Sequence, residues 1–249
     1  MPKFFIESTQ NDDFDNGPLT ITGDDAAHIS RVLRMKPGEH LTVCNCRGFD
    51  FICEILEIRP ETVQLKVLER QRSLTEPSVA VTLYQGLPKG DKMDFIVQKS
   101  VELGVTRIVP VITLRSVSRP DAKSLGRKAE RWNRIAAEAA KQCGRGILPE
   151  VRPVVGFEDA IGIMASHNIA LMLYEQNGGS LSDHFANLQS APLRSIGVLI
   201  GPEGGFDTAE ADYARSHGIT TAGMGPRILR TETAPLCALS VIMYATNNL

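Results

Sequence analysis

Ser195-Ile196-Gly197-Val198-Leu199-Ile200-Gly201-Pro202-Glu203-Gly204-Gly205-Phe206-Asp207-Thr208-Ala209-Glu210 is the stretch that decides the fold. Its first six residues form an apolar run of strand length. The chain then enters three glycines, a proline and an acid within five residues, more than an ordinary tight turn requires. Asp207 and Glu210 stand three apart, the spacing of a capping box that opens a helix. A strand, a glycine-rich loop and a helix in that order predict a ligand site, because α/β sheets bind ligands beyond the carboxyl ends of their strands. A second such loop, Gly223-Met224-Gly225-Pro226-Arg227-Ile228-Leu229-Arg230-Thr231-Glu232-Thr233-Ala234, follows the last predicted strand, so the two loops bracket one crevice.

Working outward, strands alternate with helices from Val79 onward, as in an α/β domain with a mainly parallel sheet. Strands are predicted at 79–84, 107–112, 169–173, 195–200 and 219–222, and helices at 91–103, 157–165, 181–188 and 208–217. Trp132, Ile135, Ala136, Ala139, Ala140 and Cys143 recur at helical spacing, so one face of a long helix packs inward. Ala234 to Ala245 is apolar nearly all round and must be covered on more than one side. Residues 1–70 read differently. Phe49, Phe51, Cys53 and Ile55 alternate with other residues, as do Val63, Leu65 and Val67, which predicts short strands and a small barrel. One helix interrupts them, capped by Asp24, with Ile29, Val32 and Leu33 inward and Arg31, Arg34 and Lys36 outward. Residues 71–78 lose all periodicity and contain Pro77, as a linker would, which leaves 79–249 as the second domain.

The chain has 249 residues, 43% of them hydrophobic, and a net charge of −2, so no global charge marks it for a polyanion. The charge is uneven, however. Between Val105 and Arg145 ten Lys or Arg stand against three acids, which fits either a solvated helix face or a phosphate-binding surface. Five cysteines without C-x-x-C spacing argue against disulfides and structural zinc, and His40 with Cys44 and Cys46 lacks further partners, so no metal is expected. The absence of a long apolar run or an export-type start predicts a cytoplasmic protein without a membrane segment. His28, beside the arginines of the first helix, is read as a packed, hydrogen-bonded side chain.

No Walker loop is present, Gly86-Leu87-Pro88-Lys89-Gly90-Asp91-Lys92 has the wrong spacing, and no G-x-G-x-x-G follows the first strand of the second domain. A cofactor lacking phosphate, held by backbone groups and apolar contacts, fits better. The two loops, L-I-G-P-E-G-G-F and G-P-R-I-L-R-T-E-T-A, resemble the signature of the SPOUT-class RNA methyltransferases, and more narrowly of the 16S rRNA (uracil-N3)-methyltransferase family. The likeness extends to His28–Arg34, Lys99–Val105 and Ala137–Arg145, with Lys141 standing where the family is expected to carry an acid.

The resemblance implies an N-terminal PUA-like β-barrel that helps hold RNA, and a C-terminal α/β domain knotted as a trefoil around S-adenosyl-L-methionine. It also implies a homodimer through that domain and 16S rRNA in the small ribosomal subunit as partner. The cofactor pocket is then expected from Leu199, Ile200, Gly201, Pro202, Glu203, Gly204, Gly205, Met224, Gly225, Ile228, Leu229, Arg230 and Thr233. Ile200, Met224 and Leu229 supply its apolar walls, and Gly204 permits close backbone approach. Proton transfer is expected of Glu203 or Glu232, unless these acids only pair with Arg230, and Arg230 is expected to stabilise the uracil oxyanion. Phosphate contacts are expected from Arg31, Arg34, Arg107, Arg115, Arg119, Arg131 and Arg145. The alternatives are a non-enzymatic RNA-binding assembly factor, a methyltransferase acting on a ribose 2′-hydroxyl or another base, and a dinucleotide oxidoreductase. The missing first-strand fingerprint speaks against the last.

Overall fold

The computed structural model describes residues 1–6, 19–117, 121–175, 179–185 and 193–249. It falls into two compact units, Met1–Glu76 with Ala140–Leu148, and Pro77–Ala139 with Pro149–Leu249. The sequence expectation assigned 140–148 to the second domain; the chain instead returns to the first unit there.

In the first unit β1 (Lys3–Phe5), β2 (Leu19–Thr22), β3 (His40–Cys44), β4 (Phe49–Arg59) and β5 (Thr62–Arg72) form a sheet of order β1-β3-β4-β5-β2. The period-two pattern does what alternation requires: Phe51, Cys53 and Ile55 on β4 and Val63 and Leu65 on β5 are all buried in one core with Leu41 and Val43. Register shifts between Ile52 and Cys53 and between Ile55 and Glu57 mark bulges, which bend and twist the two long strands. The expected helix is a short α1 (Gly23–Ala27) running into one π-helical turn (His28–Val32). Ile29 is fully buried, but Val32 and Leu33 are 65% and 40% exposed, contrary to the inward placement expected of them. The wider turn rotates the residues after Ile29 off the inner face. His28 is exposed, unlike the packed side chain expected, and lies edge-on to Phe4 with ring centroids 6.2 Å apart.

A buried ion pair closes this unit. Arg145, 3% exposed, donates from Nε and Nη2 to the two carboxylate oxygens of Glu76 at 2.9 and 2.8 Å, and Glu76 Oε1 also accepts the N–H groups of Gly146 and Ile147. Burial would raise the Glu76 carboxyl, but Arg145 and the two N–H groups outweigh it and hold the group below its ordinary value.

The second unit contains β6 (Ala80–Gly86), α2 (Lys92–Glu102), β7 (Arg107–Ile112), most of α3 (Ala122–Cys143), β8 (Glu150–Val151), β9 (Val155–Gly156), α4 (Phe157–Met164), β10 (Ile169–Leu173), β11 (Gly179–Ser180), α5 (Leu181–Phe185), β12 (Ser195–Ile200), α6 (Thr208–Ser216), β13 (Thr220–Gly223) and α7 (Ala234–Ala245). The sheet order is β11-β13-β10-β12-β6-β7-β8, with β9 on β7, and every pairing is parallel. The decisive stretch of sequence is therefore the central strand, β12, paired on both sides. Leu199 points into the core built with α4 and α6, together with Tyr84, Met172, Ala211 and Ala214. Gly197 has a packing reason within this strand: a Cβ there would lie 2.7 Å from the ring of His167, whose Nε2 is 3.0 Å from the buried Tyr84 hydroxyl. Asp207 and Glu210 form the predicted capping box at the start of α6. Trp132 is buried as its spacing predicts, and its indole N–H donates to Asp94 at 3.1 Å.

Removing one partner of the buried pair leaves the other charge unmatched, so Arg145→Met should destabilise the full chain by about 3–5 kcal/mol in urea denaturation. Because the native Glu76 pKa is depressed, its contribution is present above the ordinary carboxylate pKa and lost as pH falls through the lowered native value. Glu76→Gln should remove that acid-dependent part of the stability profile.

Candidate active site

The two glycine-rich loops meet beyond the carboxyl ends of β12, β10 and β6. Together they enclose a cavity of about 360 Å³, within the roughly 300–1,000 Å³ of small-molecule sites. Ile200, Gly201, Pro202, Glu203, Gly204 and Gly205 line it from the first loop, and Met224, Gly225, Ile228, Leu229 and Arg230 from the second. Leu199 and Thr233, also expected there, are not among the lining residues. The alternation of β12 turns Leu199 into the core, and Thr233 lies exposed at the start of α7.

What draws the second loop across the sheet is a set of buried hydrogen bonds. Thr231, 5% exposed, donates its hydroxyl to Gly201 O at 2.8 Å and accepts from Gln85 Nε2 at 3.1 Å. Gln85, the partner of Ile200 in the sheet, also donates to Gly86 O at 3.0 Å. One hydroxyl thus joins the ends of β6 and β12 to the segment before α7. A Cβ on Gly86 would lie 2.5 Å from Pro202 Cδ, so only glycine lets the first loop pass this close to β6.

The glycines of the cavity differ in purpose. Gly204 was expected to admit a ligand, but a Cβ there would point at Arg115, 3.1 Å from its Cβ. Arg115 packs over that loop, donating to Gly204 O at 3.1 Å and to Asp207 at 3.2 Å. Gly223 and Gly225 both line the cavity, and a Cβ on either would meet no atom within 4 Å; Gly225 is in addition held at a φ of +90°, which itself favours glycine. These backbones border open space that a side chain would fill.

The acids and cations are distributed unevenly. Lys92, at the start of α2, lies 2.8 Å from Glu203 and 3.6 Å from Glu232. This lysine, and not Arg230, is the ion-pair partner of both acids. Burial would raise the Glu203 carboxyl, but the Lys92 hydrogen bond, backbone N–H groups and the lysine charge hold it below the ordinary value. Arg227 and Arg230 line the cavity from exposed positions. Sequence reasoning missed Lys92, Gln85, Thr231 and the Leu173-Tyr174-Glu175 wall. The rule that ligands sit beyond strand ends marks the residues after β6 and β10 as well as those after β12.

The arginines expected to meet phosphate separate by burial. Arg31 and Arg34 are exposed on the first unit. Arg107, Arg115 and Arg131 are 44–51% exposed at the side chain and pair with Glu150, Asp207 and Asp94. Such surface pairs are weak enough to exchange for phosphate. Arg145 is spent in the first-unit core and cannot reach a ligand, which corrects its expected role. Arg119 lies outside the described residues.

Fold and cavity together define a class. The sequence model for the RNA methyltransferase domain matches residues 75–243, and that for the RNA methyltransferase PUA domain matches residues 21–68. Ribosomal RNA small subunit methyltransferase E of Bacillus subtilis (strain 168) is 38% identical over 249 residues, covering 99% of this chain and 97% of that protein. The chain belongs to the ribosomal RNA small subunit methyltransferase E family. A crystal structure of the Neisseria gonorrhoeae member bound to S-adenosyl methionine superposes with a TM-score of 0.81 at 31% identity, covering 98% of this chain and 97% of that one. A methyltransferase from Legionella pneumophila in complex with the same cofactor gives a TM-score of 0.78 at 30% identity, with 98% and 97% covered.

If Gly223 and Gly225 border the ligand, Gly223→Val should weaken donor binding by about tenfold or more while leaving the thermal transition intact. Gly204→Val should act through displacement of Arg115. Calorimetric titration with S-adenosylmethionine, alongside thermal melts of both variants, checks the distinction.

Proposed function

We propose that the protein transfers a methyl group from S-adenosylmethionine to N3 of a specific uridine in 16S ribosomal RNA of the small subunit. The observation that carries this reading is the cradle formed by Gly223 and Gly225 opposite the Gly201–Gly205 loop, in a chain of this family. Its size, open glycine backbones and apolar walls from Ile200, Met224 and Leu229 fit a donor without phosphate.

When bound, the donor supplies a methyl on positively charged sulfur; as the uracil N3 electron pair forms the new N–C bond, the S–C bond breaks with its pair on sulfur, leaving a neutral thioether. The N3–H proton must leave to a base, which is the protein's part of the chemistry. Glu203 and Glu232 supply carboxylates at the cavity, and the exposed guanidinium of Arg230, which lines it too, supports a role in stabilising charge developing on the uracil carbonyl oxygens. The loops also align donor and base nitrogen for in-line displacement.

RNA is held, in this reading, by Arg31 and Arg34 of the PUA-like unit and by Arg107, Arg115, Arg119 and Arg131 of the methyltransferase unit, working in the cytoplasm. Among the described residues no helix is long and apolar enough to cross a membrane. A SPOUT-type trefoil knot is supported by the path of the chain after β13. It crosses the ends of β12 and β6, two and three strands away, before α7 packs against α2. A homodimer through this unit is supported by the apolar surface that α7 and its neighbour α2 leave uncovered: Tyr244 is 77% exposed and Phe95 45%.

Incubation with labelled donor and undermethylated small subunits should place label in N3-methyluridine of 16S rRNA. Label in a 2′-O-methyl nucleoside would instead favour ribose methylation, and donor binding without label would point to another substrate. Tyr244→Glu should shift the sedimentation coefficient from dimer to monomer, whereas an unchanged value would remove α7 from the interface.

A further inference from the structure

Glu203, on the loop after β12, and Glu232, on the segment before α7, face one ammonium, yet their surroundings are unequal. Lys92 Nζ is 2.8 Å from Glu203 Oε1, a full charge-assisted hydrogen bond, and 3.6 Å from Glu232 Oε2, beyond hydrogen-bonding range. Glu203 Oε1 and Oε2 also stand 3.1 and 3.4 Å from the backbone N–H of Lys89. Glu232 Oε2, by contrast, is shut off from solvent and has no hydrogen-bond partner. A carboxylate whose oxygens are occupied by an ammonium and an N–H is a poor proton acceptor, while one held only by a longer ion pair keeps lone pairs for a proton.

Resting on the methyl-transfer reading, we propose that Lys92 is a positioning residue that divides the work between the two acids. It locks Glu203 as a structural tie between α2 and the first glycine loop, and, from 3.6 Å, it keeps Glu232 positioned so that this carboxylate takes the uracil N3 proton. The N3–H bond breaks toward a Glu232 oxygen, its electron pair stays on N3 for the methyl group, and the proton afterwards leaves to solvent. The stretch Gly86–Lys92, whose spacing excludes a phosphate loop, thereby acquires a role: it carries the cation that orders the acids.

The charged groups around this pair come from several elements. Lys92 faces it from α2, and the backbone N–H of Lys89 from the preceding loop; Arg227 and Arg230 line the same cavity from the loop after β13, and Glu175 from the end of β10. Arg115 holds the far side of the Gly204 loop. Of these, Lys92 alone has a recorded ion pair with both acids among the described residues.

The test measures kcat against pH for the full-length enzyme with saturating donor and undermethylated subunits, using Lys92→Met, Lys92→Arg, Glu203→Gln and Glu232→Gln. Loss of the neighbouring cation raises a carboxylate pKa, so Lys92→Met should lower kcat about tenfold near neutrality and move the acidic limb to higher pH. Lys92→Arg should restore the limb. Glu232→Gln should lower kcat by about 10²–10⁴ and abolish the limb, whereas Glu203→Gln should keep it. An unshifted limb in Lys92→Met overturns the proposal, as does a limb lost in Glu203→Gln and kept in Glu232→Gln. Calorimetric donor titration and thermal melts of each variant separate these outcomes from misfolding. Failure of the methyl-transfer reading itself is distinct, because the unsubstituted enzyme would then yield no N3-methyluridine.

Discussion

The Thr231 hydroxyl, donating to Gly201 O and accepting from the Gln85 side chain, is the constraint on which the site depends. Parallel strands end in carbonyls and N–H groups that no neighbour completes, and each buried one needs a partner. Here the Gly201 carbonyl after β12 is satisfied by a residue more than thirty positions beyond Ile200, on a segment with no sheet of its own, and the Gly86 carbonyl at the end of β6 by the Gln85 side chain that donates to that same residue. The loop from Met224 to Glu232 therefore lies over the strand ends because polar groups there would otherwise be unmatched. The cavity, the approach of Glu232 to Lys92 and the docking of α7 against α2 all follow from that crossing.

Much of this was legible in the residues, for identifiable reasons. Period-two and helical spacing located the strands and helices of the second unit, since a core accepts only side chains that repeat with the element. The predicted strands at 107–112, 169–173 and 195–200 coincide with those observed. Asp207 and Glu210 announced α6 because a capping box is local chemistry that needs no tertiary partner. The glycine loops announced the cavity for the same reason. What spacing could not reveal was tertiary choice. Lys92 meets acids more than a hundred residues away, and the inward place expected of Val32 and Leu33 was lost to one π-helical turn. Arg145 reads as one more cation in a basic run until Glu76, 69 residues earlier, claims the Nε–Nη2 edge of its guanidinium.

The fate of Arg145 shows why counting charges along a chain misjudges a binding surface. Of the basic residues between Val105 and Arg145, those with side chains about half exposed keep partners that water and salt already weaken, so a phosphate can displace a carboxylate at little cost. A guanidinium that is 3% exposed has no such exchange open to it, because leaving Glu76 would strand both charges without solvent. Its part is therefore structural, within the unit that also carries the exposed Arg31 and Arg34.

The same reasoning orders the charges of the cavity by depth. Arg227, Arg230 and Glu203 are exposed residues, whereas Glu232 is half-buried, with its Oε2 enclosed. A polyanionic substrate approaching from outside first meets guanidinium groups. A cationic group seated deeper would lie nearer the Glu232 carboxylate, where charges are screened less. The lining carries three acids against three cations when Glu175 and Lys92 are included, a sum close to nothing, so what the cavity favours at each depth depends on where its charges sit.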